Sequence, residues 1–336
     1  MFLPPHPFRL RLAFLIALLS TTHLLVADET QANALLQQGR VDEAAAVLQE
    51  LLSNEPGNAQ AHQLFCRVFY AQSKTDPAIH ECELAVANAP NDSDNHMWLA
   101  RAYGHKAAHA SPFSALSLAV KVHNEFERAV QLDPDNFHAM SDLGEYYVAA
   151  PSIIGGGLDR AQGLAARMQP KFPAQSHRLL ALVAEKKKDP AAAEAEYLAA
   201  VDAGKTPEAY INLGDFYRRE NQPDKMLDAL RSAVAADRTK GPPLVDAAST
   251  LTEAHNSPQL AISLLRTYLA SSAKTDGAPA FKVHLQLGCL LSQDGDAAGA
   301  HREYLAATAL ASNYVPALKA LQGSHTKGDT MSSNQH

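Results

Sequence analysis

The residues that could carry chemistry here are histidines, cysteines and closely spaced acids. The chain holds 15 His and 3 Cys in 336 residues. His62-x3-Cys66 and His80-x-Cys82 come nearest to a metal-ligand set, since zinc takes imidazole and thiolate but needs them convergent. His80 and Cys82 are two apart, and on a helix they point different ways. His105 and His109 share a face at i, i+4 with no third ligand beside them and read as solvated. Glu81 with Glu83, and Glu125 with Glu127, alternate across a helix and also read as solvated faces. Gly155-Gly156-Gly157 would cradle a phosphate with a strand before it and Lys-Ser or Lys-Thr after it. Leu158-Asp159 follows instead, so the triplet reads as an elbow. No Gly-x-Ser-x-Gly occurs, and no cysteine has a predictable histidine partner. The expectation is no catalytic residue, no metal site, no cofactor and no enzyme.

What positions these residues is a repeat. Pro56, Pro90, Pro134 and Pro173 each follow an apolar or small residue by five positions and recur at intervals of 34, 44 and 39. Before each lies a triplet at i, i+4, i+7, one face of an α-helix: Ala44, Leu48, Leu51; Ala78, Cys82, Ala85; Val122, Phe126, Ala129; Ala161, Ala165, Met168. The rhythm continues without the proline in Ala193, Tyr197, Ala200; Met226, Leu230, Ala233; Ala261, Leu265, Tyr268; and Ala300, Tyr304, Ala307. Upstream of most triplets comes a large apolar residue, a small one, and an aromatic or aliphatic three further on. Leu143, Gly144, Tyr147 and Leu213, Gly214, Tyr217 are examples. Glycine inside a helix costs about 1 kcal/mol against alanine, so its reuse predicts close helix approach, with a partner alanine against bare backbone. A period of this length marks a solenoid whose units bury their apolar faces by stacking.

On these residues the chain resembles the tetratricopeptide repeat family, with its Trp-x2-Leu-Gly-x2-Tyr helix, Ala-x3-Phe helix and closing proline. The best single match is 207–240, through Tyr210, Leu213, Gly214, Tyr217, Leu230 and Ala233; Met226 stands where the family has alanine. The resemblance implies an all-α, right-handed α-solenoid of about eight helix hairpins over 28–322, with a disordered tail at 323–336. Insertions near 104–115 and 150–157 break the period on one edge. Ser111-Pro112 predicts that a long second helix begins there. Ile153 and Ile154 are expected to pack on Phe113. The Phe126–Val130 stretch with Glu145-Tyr146-Tyr147 and the glycine turn resembles an arrangement in secreted bacterial members of this class.

Arg9, Arg11 and the apolar run 12–19 read as an export signal over 1–27. The run is short of the roughly 20 residues a membrane span requires, so any membrane contact is expected only through an uncleaved signal. Periplasmic or secreted localisation follows as the expectation. A net charge of -7 disfavours nucleic acid as a partner. Lys186 to Lys188, the one basic run, sits at a predicted helix end, where the macrodipole favours it. Cys66 and Cys82 occupy inward slots of one hairpin, as a disulfide or as small apolar fillers, with Cys289 free.

In tetratricopeptide arrays the first helix of each pair lines the concave face, and ligand peptides lie there. Carried onto this chain, the partner-binding candidates are Arg67, Tyr70, Trp98, Arg101, Asp142, Glu145, Asn212 and Asp215. Arg67 and Arg101 are read as available to a ligand, and Trp98 as either available or packed between repeats. Some members clamp a C-terminal carboxylate with paired lysines and asparagines; Asn212 fills an asparagine slot, and the matching lysines are absent. The implied function is a noncatalytic scaffold that binds a protein or peptide segment, with no small-molecule substrate. The alternative is an envelope assembly or homo-oligomeric protein that uses the insertion edge.

Overall fold

The computed structural model describes residues 28–332, the side chains of 325–332 excepted, so the expected signal at 1–27 lies outside it. Among the described residues the chain is all α apart from one 3-10 turn, Ser152–Ile154. Eight helix pairs follow one another: α1 (Glu29–Gln37) with α2 (Val41–Asn54), α3 (Ala59–Ala71) with α4 (Thr75–Asn88), α5 (Ser93–Ala107) with α6 (Pro112–Leu132), and α7 (Phe137–Ala149) with α8 (Leu158–Met168). Then come α9 (Pro173–Lys186) with α10 (Pro190–Gly204), α11 (Pro207–Arg219) with α12 (Pro223–Ala236), α13 (Pro242–Glu253) with α14 (Pro258–Ala270), and α15 (Ala280–Gln293) with α16 (Ala297–Leu310). A last helix, α17 (Val315–Ser332), closes the series. It runs into the stretch expected as a disordered tail, because no proline after Pro316 interrupts its backbone hydrogen bonds.

The periodic triplets are the core. Every residue of the eight is buried, because each second helix turns that face into its own hairpin. Short polar side chains start many of the helices. Asp28, Asn58, Asp92, Asn136, Asp189, Thr206 and Asp296 each accept from a backbone N–H three residues on. From α9 to α14 a proline opens every helix. Proline is tolerated there because that first N–H has no intrahelical partner anyway. Pro173 is one of these, so it begins α9 and does not sit in the turn as Pro56 does.

The helical glycines are notches, but not for alanine. A Cβ on Gly214 would meet Leu230 at 2.9 Å, and one on Gly288 would meet the Tyr304 ring at 2.5 Å. A Cβ on Gly144 would meet Leu179 of the next hairpin at 2.7 Å. Large side chains gain more from bare backbone, since each buries more apolar area there.

Both insertions lie where expected, and α6 is long, at 21 residues. The Ile153–Phe113 packing is not formed: Phe113 is 91% exposed and Ile153 89%. The first turns of α6 run on beyond Ala107, the end of its partner α5, so Phe113 has no element to cover it. The glycine turn is held by its backbone. Tyr146 Oη donates to the Ile154 carbonyl at 2.6 Å, and the Gly157 N–H to the Tyr147 carbonyl at 2.8 Å. Gly155, at φ +92°, lies against the His123 ring, where a Cβ would come to 2.6 Å. These anchors leave Ile153 outside.

The solenoid also closes on itself. Successive first helices from α1 to α13 touch one another, while successive second helices are not brought so close, which places the first helices on the inner side of the curve. After eight pairs the ends meet. Ala32, Leu36, Leu48, Leu64 and Val68 share one core with Phe281, Ala307, Ala311, Tyr314 and Ala317. A Cβ on Gly39 would lie 2.6 Å from the Ala280 nitrogen. On the polar side, Gln37 exchanges two hydrogen bonds with Asp276, at 3.1 and 3.0 Å, and the Ser312 N–H donates to Asp42 at 2.6 Å.

Candidate functional site

The inner face carries a line of arginines, each tied to carboxylates or amides of neighbouring hairpins. Arg67, on α3, donates to Asp276 at 2.9 Å, across the closure. Arg101, on α5, donates to Asp142 on α7 at 2.6 Å. Arg178, on α9, reaches Glu145 at 2.5 Å, Asn212 at 3.3 Å and the Ser141 hydroxyl at 3.4 Å, so one guanidinium joins three hairpins. Arg218 pairs with Asp215 at 2.8 Å and Glu253 at 3.2 Å. A planar guanidinium with several donors can hold such partners at once.

Seven of the eight sequence candidates thus fall into two groups. Arg67, Tyr70, Trp98, Arg101 and Asp142 form one cluster: the Trp98 ring lies between Arg67 at 5.2 Å and Arg101 at 4.7 Å, with Tyr70 edge-on at 5.7 Å. Glu145 and Asn212 are joined through Arg178. Asp215 stands apart with Arg218 and Arg219. Arg67 and Arg101 are not the available cations that the sequence suggests. Each already has a carboxylate, and Trp98 packs between them. Burial, with the nearby Glu145 charge, raises the Asp142 carboxyl against the opposing Arg101, and burial likewise raises the Tyr70 phenol. Beside the Arg178 group lies an open depression of about 200 Å³, lined by Phe137, Ser141, Glu145, Glu208 and Asn212 among others.

Two sets of partners escape the sequence reading. The first is Asp276 and its segment, which reach the inner face only because the chain closes. The second is a repeated His–Glu bond within hairpins: His62 to Glu81 at 2.7 Å, His96 to Glu125 at 2.5 Å, His177 to Glu196 at 2.7 Å and His284 to Glu303 at 2.6 Å. The other glutamate of each Glu-x-Glu accepts from a tyrosine: Glu83 from Tyr103 at 2.6 Å, Glu127 from Tyr147 at 2.7 Å and Glu194 from Tyr217 at 2.8 Å. Glu81, Glu125 and Glu127 are therefore partly buried structural acceptors, and Glu83 accepts its bond from an exposed position. Burial and these carboxylates together hold the Tyr103 and Tyr147 phenols far above their ordinary value. His105, read as solvated, is partly buried and bonded to the Thr75 hydroxyl at 2.9 Å.

Cys66 and Cys82 form a disulfide, with Cα atoms 5.2 Å apart, and Cys289 is free and exposed. Their sulfurs are thus unavailable to a metal. Among the described residues no three His, Cys, Asp or Glu side chains converge as a ligand set, and no helix is long and apolar enough to cross a membrane.

Two family models, both described as tetratricopeptide repeat, match residues 35–103 and 207–240. The second is the stretch carrying Tyr210, Leu213, Gly214 and Tyr217. No curated protein matches the chain. Among solved structures, yeast Tom70 is similar with a TM-score of 0.52 at 15% identity, over 87% of this chain and 59% of that one. A thermophilic tetratricopeptide-repeat protein of Thermus thermophilus gives 0.42 at 19% identity, over 67% of this chain and 100% of that one. A tetratricopeptide repeat protein from Parabacteroides merdae gives 0.44 at 10%, over 88% and 96%. At these identities the likeness is one of fold.

Proposed function

We propose that this chain of tetratricopeptide repeats is a noncatalytic interaction scaffold, exported to a bacterial envelope, which binds a segment of a partner protein against its inner face. The observation that carries the proposal is the arginine line, with Trp98 held between two guanidiniums. Arg, Trp and Tyr are the residue types that dominate interface energetics, and here they are fixed by neighbours before any partner arrives, which lowers the entropy cost of binding. The depression between Glu145, Arg178 and Asn212 gives such a segment a side-chain-sized recess. The Cys66–Cys82 bond supports export, because disulfides persist in oxidising compartments. An acidic chain with its arginines tied to carboxylates is poorly suited to nucleic acid.

A second reading is favoured by Phe113 and Ile153, two large apolar side chains held out on the insertion edge. One experiment separates the two. A photo-crosslinking residue is placed at Glu145, at Asn212 or at Ile153, and the cross-linked peptides are sequenced. The inner-face reading expects adducts from the first two positions to one segment of another protein, cut about tenfold by Trp98→Ala with Arg101→Ala. Adducts from Ile153 alone, to another copy of this chain, would replace it with the edge reading.

A further inference from the structure

The connection between α14 and α15 is longer than joining them requires. It takes nine residues, 271–279, where the other connections between hairpins take two to five. The added length is folded into a finger. The Ala278 N–H donates to the Thr275 carbonyl at 3.2 Å, which closes a β-turn with Asp276 and Gly277 at its tip. Tyr268, fully buried on α14, pins the base: its hydroxyl accepts from the Thr275 N–H at 3.1 Å and donates to the Ala278 carbonyl at 2.6 Å. The tip crosses to the other end of the chain, where Asp276 receives Arg67 at 2.8 and 2.9 Å and Gln37 at 3.1 Å.

These tip contacts are polar. The apolar core that joins the two ends takes Phe281, Ala307, Ala311, Tyr314 and Ala317 from this side, and no residue of 271–277 belongs to it. What the tip adds is a carboxylate on the guanidinium that faces Trp98 at 5.2 Å, in the cluster assigned above to the partner. With the Arg67 side chain 15% exposed and that of Asp276 13%, a second carboxylate reaches Arg67 only if the first leaves. We propose that 271–279 is a displaceable strap: Asp276 holds on Arg67 the place taken by a carboxylate of the partner segment, which is therefore acidic. This rests on the inner-face reading and adds to it a partner chemistry and a brake. The exchange is like for like, one charge-assisted pair for another, and the Tyr268 bonds keep the base of the finger in place. A site occupied by its own chain binds with an affinity reduced by the fraction of molecules in which it stands open.

Trp98 is the only tryptophan in the chain, so its fluorescence reports on the Arg67 site. Tetraglutamate blocked at both ends is titrated into the whole chain at fixed ionic strength, with blocked tetraglutamine as the uncharged control. Asp276→Asn keeps the shape of the tip and removes its charge. Tetraglutamate is expected to bind this variant about tenfold more tightly than the parent, and adding Arg67→Gln to the variant is expected to abolish the binding. A second measurement uses the parent alone, so it holds even where Asp276→Asn loosens the fold. The Asp276 N–H donates to Gln37 at 3.0 Å, and saturating tetraglutamate is expected to speed its hydrogen exchange about tenfold as the tip lifts. Equal affinity in parent and variant, no binding to the variant, or an Asp276 amide unmoved at saturation would each overturn the strap. None of these outcomes bears on the inner-face reading, which stands or falls on the adducts from Glu145 and Asn212.

Discussion

His96 shows how one side chain in these hairpins is fixed from both sides. Nδ1 faces Glu125 at 2.5 Å and Nε2 faces the Pro90 carbonyl at 3.0 Å. Both partners only accept, so both ring nitrogens donate, which requires the imidazolium form. The Glu125 bond accordingly raises the pKa of His96, with the Pro90 carbonyl adding to it and burial opposing. A histidine raised on folding stabilises fully below its unfolded pKa, about 6.5, and that contribution is lost as pH rises through the folded value. His96→Gln is therefore expected to destabilise by about 1–3 kcal/mol at pH 5.5, with a smaller difference at pH 8.5, read from urea unfolding at both pH values. A deficit that grows with pH would show that the charged form plays no part. The bond was available in the sequence as a spacing. His62 to Glu81, His177 to Glu196 and His284 to Glu303 are each 19 apart, and His96 to Glu125 is longer by the ten inserted residues. Reading single helices hides it, because the two partners sit on different helices and meet only across the hairpin.

At the scale of the element, the apolar periodicity told nearly everything about where helices lie and which face they bury. Ala193, Tyr197 and Ala200 or Met226, Leu230 and Ala233 needed only the 3.6-residue period. What fills the opposing notch was less legible, since Leu230 and Tyr304 enter by way of rotamers that composition does not encode. The disulfide was half legible: Cys66 and Cys82 were placed on facing helices, but a small apolar pair would fit the same slots. Both cysteines are completely buried. The bond closes a loop with a sequence separation of 16, for which chain-entropy reasoning gives about 3 kcal/mol. Cys66→Ala with Cys82→Ala should lower the urea-unfolding free energy by about that amount, and reductant without denaturant should act slowly on the parent. Immediate reduction at full native stability would contradict the burial.

At the scale of the molecule, the closure was invisible in the sequence. Arg67 and Asp276 are 209 residues apart, and nothing in a local pattern reports that curvature accumulated over eight hairpins returns one end to the other. This is also why Arg67 looked free for a partner. The closure predicts that removing 28–54, the first hairpin, opens the structure by uncovering Phe281 and Tyr314. The radius of gyration from small-angle scattering should then rise although the chain is shorter, and the apolar faces so exposed should favour association. A radius that falls in proportion to length would mean that the remaining hairpins hold their curvature unaided.

An open array can lose or duplicate a unit and remain an array, since each unit answers only to its neighbours. A closed one cannot, because the Ala32–Tyr314 core and the Gln37–Asp276 pair meet only at one number of hairpins. The closure therefore turns repeat number into a whole-number constraint. Duplicating or deleting any internal hairpin, however well formed, would pull apart a contact at the far end of the chain.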